Sequence, residues 1–123
     1  MNKNTHLLRQ VHPNFINNGE ITSQVFRPTP KDENLLSMYD GDMITPEEAY
    51  NHFINNGNCS SEGVLAVSNE ECAREDIDVI EDRVPFPEHV SLNFSKFNKK
   101  EIERKAKVLK AQAKARGWLY RKP

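Results

Sequence analysis

Alternation of apolar and polar side chains predicts several short β-strands along the chain. The clearest pattern runs from Val90 to Phe94, where every second residue is apolar, as in a strand with one buried face. Gly63 to Val67 is a continuous apolar run of strand length. Weaker patterns predict further strands over 21–26, 35–39 and 77–80.

Capping signals predict where three helices begin. In each signal a Thr, Ser or Asn stands three residues before a Glu, and such a pair can bond reciprocally to the first turn of a helix. The pairs are Thr45 with Glu48, Ser68 with Glu71, and Asn98 with Glu101. The first helix is expected over 46–55 with Gly57 as a left-handed stop, and the second is short, ending near Arg74.

The longest predicted helix covers 99–116, ends before Gly117 and is both basic and amphipathic. At about 100° per residue, four apolar side chains fall on one stripe that can dock on a core. These are Ile102, Ala106, Leu109 and Ala113.

Together these elements predict a single α+β domain over residues 1–123, with a small, mostly antiparallel sheet and two to three helices. Short connections favour hairpins over parallel crossovers. Helices 46–55 and 99–116 are expected to cover one face of the sheet. Residues 1–34 are polar and rich in turn residues, and we expect an irregular segment there apart from the strand over 21–26.

The composition favours a small cytoplasmic protein. The chain has 123 residues, of which 37% are hydrophobic and 28% charged, a balance that suits one modest core. No apolar run approaches the roughly 18–20 residues of a membrane helix, and the N-terminus lacks the apolar centre of a signal peptide. Cys59 and Cys72 are therefore expected to be free thiols rather than a disulfide.

The charge is unevenly distributed along the chain. The net charge is −1, yet residues 99–123 hold ten basic and two acidic side chains, whereas residues 1–98 carry a net −9. An acidic body with a basic C-terminal segment predicts either an acidic partner or an internal match between the two parts.

The basic flank of helix 99–116 is the first candidate for function. Basic side chains recur there at helical spacing, and aromatic residues that can stack on bases follow the helix. The predicted polyanion-binding residues are Lys100, Arg104, Lys107, Lys110, Lys114 and Trp118. The alternatives are a solvated helix face, an acidic protein as the partner, or a homo-oligomer in which the basic helix of one chain docks on the acidic body of another.

The N-terminal segment offers an enzymatic alternative. It holds a cluster of residue types that bind anions or transfer protons: Arg9, His12, Ser23 and Arg27. A small enzyme or ligand-binding protein would need these four side chains to converge in one pocket.

Other chemistry is not supported by the sequence. The possible metal ligands His52, Cys59, Cys72 and His89 match no metal-binding spacing, and no cofactor motif is present. The acidic residues over 76–82 fit the solvated face of an edge strand. The sequence therefore favours a non-catalytic interaction module that binds an acidic protein or a nucleic acid, with no metal, cofactor or membrane.

Overall fold

A six-stranded antiparallel sheet forms the centre of the computed structural model, which describes residues 1–56 and 59–123. The strands are β1 (His6–Gln10), β2 (Ile16–Asn17), β3 (Glu20–Ile21), β4 (Leu35–Asp40), β5 (Gly63–Ser68), β6 (Asp78–Ile80), β7 (His89–Asn93) and β8 (Tyr120–Arg121). The large sheet has the order β6-β7-β4-β1-β5-β8, and β2 pairs with β3 in a separate hairpin. The helices are α1 (Pro46–Asn55), α2 (Asn69–Arg74) and α3 (Lys99–Arg116). This is the predicted α+β class, with the longest helix at the C-terminus.

The three predicted capping boxes are confirmed. At each helix start the cap side chain accepts from the third helical amide, and the Glu side chain accepts from the cap amide. At α3, for example, both bonds between Asn98 and Glu101 measure 2.9 Å. Helix starts are well predicted because both partners of a capping box lie within four residues of each other. The predicted stop at Gly57 lies outside the described residues.

The expectation of an irregular segment over 1–34 is wrong for β1, which lies near the middle of the sheet between β4 and β5. Leu7 and Leu8 are both buried, and they contribute to cores on opposite faces of the sheet. A strand covered on both faces lacks the apolar–polar alternation of a half-exposed strand. The pattern of His6–Gln10 therefore carries no strand signal.

The strand predicted over 21–26 is also wrong beyond Ile21. Residues Ser23–Phe26 form a 3-10 helix that packs under α3, and two more such turns cover Pro13–Phe15 and Pro30–Asp32. Val25 and Phe26 are adjacent and both fully buried. A helical turn can bury two neighbours against one surface, whereas a strand would point them to opposite faces.

The two longer helices cover opposite faces of the sheet, contrary to the prediction that they share one. The core on the α3 face includes Phe26, Leu65, Leu92, Phe94 and Leu109. The core on the α1 face is smaller. Because α1 packs mainly on β1, β5 and β8, the described helices leave most of that face over β4, β7 and β6 open, except near Tyr39, which contacts His52 of α1. Among the described residues, the helices do not combine the length and the apolar composition that a membrane span requires.

Candidate active site in a cleft of the sheet

The central strands β1 and β4 separate after a short contact, and this opens the sheet. Their paired residues are Leu7 with Asp40 and Leu8 with Tyr39, whereas β4 and β7 pair over five positions. The ladder between β4 and β7 bonds the even-numbered residues of β4, as at the Asp40 amide, which donates to the Glu88 carbonyl. In an antiparallel ladder the backbone N–H and C=O groups of Ser37 therefore point towards β1, which no longer pairs with β4 at this position.

Arg9 fills the opening in place of the missing ladder bonds. Its Nη1 donates to the Ser37 carbonyl at 3.1 Å, and its Nε donates to the Val25 carbonyl at 2.7 Å. Burial lowers the pKa of Arg9 to about 10, so the side chain is still a cation at neutral pH. A positive charge is thus fixed beside the strand that carries Ser37.

Ser37 and His89 lie on the same face of the sheet, which is the face that α1 leaves uncovered here. The register pairs Ser37 with Ser91 and Tyr39 with His89, so Ser37 and His89 are diagonal neighbours across β4 and β7. The His89 Nε2 lies 3.2 Å from the Ser37 Oγ. This distance is within the range in which a histidine can take a proton from a serine hydroxyl.

Asp82 completes a chain of three residues. The His89 Nδ1 lies 2.9 Å from the Asp82 Oδ1 and 2.9 Å from the Asp82 backbone carbonyl. Both are acceptors, so Nδ1 carries a hydrogen, and the neutral form of the ring presents a lone pair at Nε2 to Ser37. The other Asp82 carboxylate oxygen accepts from the Ser91 hydroxyl at 2.6 Å, which holds the carboxylate in place.

Arg83 anchors the loop that carries Asp82 and leads to His89. Its guanidinium lies 3.0 Å from the carboxylate of the buried Asp40, donates to the Pro87 carbonyl at 3.0 Å and also contacts Glu81. The hydrogen bond that Arg83 donates to Glu81, helped by a smaller effect of the one to Asp40, outweighs burial and raises the pKa of Arg83 above its ordinary value. The loop is therefore tied to the end of β4, close to Ser37.

A small apolar cleft of about 260 Å³ lies beside the Ser37–His89 pair. The cleft is lined by Arg9, Gln10, Ser37, Met38, Tyr39, Phe53, Pro85, Phe86 and His89. The Phe86 ring packs edge-on against His89, with centroids 5.3 Å apart, and stacks on Tyr39 at 5.2 Å. These contacts keep the imidazole in one orientation and leave a largely apolar space next to the Ser37 hydroxyl.

A second cavity of about 440 Å³ shares its walls with the cleft at Tyr39, Phe53, Pro85 and Phe86. The Tyr39 hydroxyl lies 2.9 Å from the His52 Nδ1. Burial, with smaller effects of Cys59 and Glu88, raises the pKa of Tyr39 to about 12, so this phenol is neutral throughout the physiological range.

The four N-terminal residues of the enzymatic prediction do not share one pocket. Arg9 lines the cleft, but the His12 ring accepts the Asn14 amide at 3.0 Å and so caps a 3-10 turn. Ser23 begins the next 3-10 helix, and Arg27 lines a different groove. Of this predicted set, only Arg9 lies in the cleft.

The predicted basic face lies on the solvent side of α3, where Lys100, Arg104, Lys107 and Lys114 are exposed and Lys110, nearer the buried stripe, is half-buried. We call it the basic stripe: Lys100, Arg104, Lys107, Lys110 and Lys114. Within the described residues only Lys114 of the stripe has an acidic partner, Glu20, at 3.2 Å. Trp118 is half-buried, and the Arg121 guanidinium lies 4.2 Å from the centre of its ring.

The sequence offered little signal for Ser37, Asp82 and His89. The sequence indicates His89 only as a possible metal ligand, and it places Asp82 in an acidic segment that fits a solvated edge strand better than a metal or acid–base site. In the described part of the chain no group of three or more His, Cys, Asp or Glu side chains is arranged to hold a metal ion. The available signal in the sequence was the alternation Leu36-Ser37-Met38, which is typical of a strand that turns its polar residue to an open face, and in the structure Ser37 is exposed between two buried neighbours.

Comparison with known proteins gives no further guide. The chain matches no protein-family model, no curated protein and no solved structure. Functional inference therefore depends on the geometry of the site itself.

Proposed function

We propose that this protein is a small hydrolase that cleaves esters or thioesters through an acyl intermediate on Ser37. The observation that supports it is the hydrogen-bonded chain from Ser37 Oγ through both nitrogens of His89 to Asp82. A nucleophile, a base and a carboxylate that orients the base are the three parts of serine-dependent acyl transfer, which is recognised by geometry rather than by sequence order. An enzyme was the alternative that the sequence offered. Of its predicted residues Arg9 remains in the site, whereas His89 and Ser37 take the roles expected of His12 and Ser23.

In the proposed reaction Ser37 Oγ attacks the carbonyl carbon of the substrate while its proton passes to His89 Nε2. The bond from that carbon to the leaving oxygen or sulfur then breaks, and His89 returns the proton to the leaving group. A water molecule that gives its proton to His89 cleaves the acyl-serine, and His89 reprotonates Ser37. Asp82 stabilises the imidazolium in both halves, and Arg9 provides positive charge near the oxyanion.

The cleft favours a small substrate with an apolar acyl group. Its volume of about 260 Å³ is below the usual size of a site for a drug-sized ligand. Apart from the reacting pair, its walls are mainly carbon surfaces such as those of Met38, Phe53 and Phe86. A short or branched acyl chain fits this space.

The first test is hydrolysis of p-nitrophenyl butyrate together with labelling by a fluorophosphonate probe and mapping of the modified peptide. We expect the label on Ser37. Ser37→Ala and His89→Gln should each lower kcat/KM by roughly 10²–10⁴-fold, as expected on loss of a nucleophile or its general base. Ser37 is exposed, so its change to alanine should leave the fold intact.

Ser23→Ala and His12→Gln are the matched controls, because they remove the same chemical groups from the N-terminal set that lies outside the cleft. Both should retain full activity. Labelling of another residue, or an unchanged rate in Ser37→Ala, would contradict the proposed hydrolase.

The basic stripe supports a second candidate function, binding of a polyanion such as a nucleic acid. Four of its five cations lack an acidic partner among the described residues. Parallel cations on one helix face can replace the counterions of several phosphates, which makes binding strongly dependent on salt.

Fluorescence anisotropy with labelled single- and double-stranded DNA and RNA tests this second function. We expect affinity that falls steeply with salt and a loss of at least about tenfold in the triple variant Lys107→Glu, Lys110→Glu, Lys114→Glu. The control triple variant Lys3→Glu, Lys31→Glu, Lys96→Glu makes the same change in net charge away from the stripe and should bind normally. Absence of binding at low salt would exclude nucleic acid and leave an acidic protein or a second copy of the chain as the partner.

A further inference from the structure

A second groove, of about 490 Å³, lies on the α3 side of the sheet, at the start of α3. It is bordered by the 3-10 turn at Pro30–Asp32 and is lined by Arg27, Pro28, Pro30, Asn34, Phe97, Lys99, Ile102 and Glu103. Its surface is mainly apolar, from two prolines, a phenylalanine and an isoleucine. Its volume is in the range of sites that bind small molecules.

Two cations face this apolar groove without a carboxylate partner. Within the described residues neither Arg27 nor Lys99 has a carboxylate oxygen within 4.0 Å. The Nε of Arg27 is buried and has no hydrogen-bond partner among the residues that the structure describes. Arg9, the other arginine at the base of a cavity, has both its Nε and its Nη1 bonded to carbonyls.

The contrast between these two arginines indicates a missing partner at Arg27. A buried donor without an acceptor destabilises the folded state, and such groups are rare in native proteins unless a ligand or water satisfies them. An anion satisfies a guanidinium best, because charge-assisted hydrogen bonds are about twice as strong as neutral ones.

We propose that this groove binds a small organic acid with an apolar body and a single carboxylate. The carboxylate bonds to Arg27 and pairs with Lys99, while the body lies on Phe97 and Ile102 and between the two prolines. Glu103 lines the same groove, so a second negative charge on the ligand would be repelled. This binding site lies apart from the cleft and does not depend on the proposed hydrolase activity.

The test is a titration of ¹⁵N-labelled protein with octanoate, observed through the backbone amides and the Arg27 Nε–H resonance. Octan-1-ol has the apolar chain without the charge, and acetate has the charge without the chain. We expect octanoate to shift the resonances of Arg27, Phe97 and Ile102 at concentrations at least about tenfold lower than either comparison compound. Suberate, which adds a second carboxylate, should bind more weakly than octanoate.

Arg27→Gln should weaken octanoate binding by at least about tenfold and leave octanol binding unchanged. Lys99→Gln is the second variant, because Lys99 is exposed at the first position of α3 and its change should not affect folding. Lys31→Gln, an exposed cation that does not line the groove, should have no effect. Equal binding of octanol and octanoate would overturn the proposal, and so would full octanoate binding by both Arg27→Gln and Lys99→Gln. It would also be overturned if the Arg27 Nε–H resonance exchanged with water and did not shift on addition of octanoate.

Discussion

At the scale of single residues, the position of one hydrogen on His89 decides what the cleft can do. Nδ1 faces only acceptors, which are the Asp82 carboxylate and the Asp82 carbonyl, so Nε2 is left to accept from Ser37. The backbone carbonyl and the carboxylate of Asp82 thus both contact the Nδ1 edge of the His89 ring.

Asp82→Asn should reverse this arrangement. The new side-chain amide can donate to Nδ1, which moves the hydrogen to Nε2 and removes the acceptor that Ser37 requires. At high pH we expect the ¹⁵N chemical shift of His89 Nδ1 to take the value of an unprotonated ring nitrogen and that of Nε2 to take the value of a protonated one, the reverse of the wild type. Hydrolysis of p-nitrophenyl butyrate should fall by roughly 10²–10⁴-fold.

Ser91→Ala is the control for this change. It removes the other bond to the Asp82 carboxylate but keeps the carboxylate itself, so the ring should keep its hydrogen on Nδ1. If Asp82→Asn left the ring shifts unchanged, the interpretation of the hydrogen-bond chain would be wrong even if activity fell.

Ser37, Asp82 and His89 illustrate why the candidate site was not predictable from the sequence. Ser37 and His89 are 52 residues apart and meet only because β4 and β7 pair in one particular register. Arg9 was predicted as functional from its residue type, but no local pattern shows that it fills an opening between two strands. Long-range register is set by the whole core, whereas residue types and spacings are local.

At the scale of elements, Arg9 joins β4 to the 3-10 helix Ser23–Phe26 where β1 leaves β4. Its guanidinium donates to the Ser37 carbonyl at the open edge of β4 and to the partly buried Val25 carbonyl of the 3-10 helix, and an unsatisfied buried acceptor is costly.

Arg9→Met should therefore destabilise the fold although methionine fills a similar space. Loss of both bonds should lower the free energy of unfolding by about 2–4 kcal/mol, measured by urea denaturation. Arg74→Met is the control, because Arg74 is exposed and its ion pair within the described residues is the i,i+4 contact with Glu70. That change should alter stability by less than about 0.5 kcal/mol, and equal effects of the two substitutions would contradict the role given to Arg9.

Glu71 and Arg116 connect α2 to the end of α3. Two hydrogen bonds of 3.0 and 3.1 Å join their side chains, of which only 14% and 23% are exposed. Burial alone would raise the pKa of Glu71, but hydrogen bonds from Arg116 and from Ser68 outweigh it and leave this pKa below its ordinary value.

Glu71→Gln should therefore lower stability in a pH-dependent way. A carboxyl group with a lowered folded-state pKa contributes stability above its ordinary pKa of 4.5 and loses it as the pH falls through the folded-state pKa. Thermal unfolding should give the wild type a free energy of unfolding about 1–2 kcal/mol higher than that of Glu71→Gln at pH 7. This difference should vanish in strong acid. Glu48→Gln, which changes a similar capping box without an arginine partner, should show a much smaller difference.

Elements with local signals were predicted well, and those defined by tertiary packing were not. The capping box of α3 lies within Asn98–Glu101, so its start is visible in four residues. Phe26, by contrast, lies in a 3-10 helix that packs against α3, and this contact is not visible in the residues next to it in the sequence. Tertiary contacts overrode the apparent alternation of residues 21–26.

At the scale of the whole molecule, the uneven charge is only partly neutralised within the fold. Glu71, Glu75 and Glu20 of the acidic body pair with Arg116, Lys105 and Lys114 of the basic segment. Most of the basic stripe remains turned to solvent. The stripe lies on the outer side of α3, so a polyanion bound there would not enter the cleft.

The sheet order also makes the first ten residues essential for folding. Deletion of residues 1–10 removes β1, which pairs with both β4 and β5. We expect the shortened chain to lose cooperative thermal unfolding by circular dichroism, because both halves of the sheet then have an exposed edge. Deletion of 122–123 should preserve the transition, and cooperative melting of the first variant would contradict a central role for β1.

Both outer strands of the sheet are very short: β6 has three residues and β8 has two. Asp78 on β6 and Arg121 on β8 have opposite charges, although Asp78 already lies 3.7 Å from Lys96 of its own chain. Head-to-tail pairing of the two edges, if it did not close into a ring, would propagate as a filament. Because so few backbone groups are available at either end, the protein should resist fibril growth even at the concentrations used for spectroscopy.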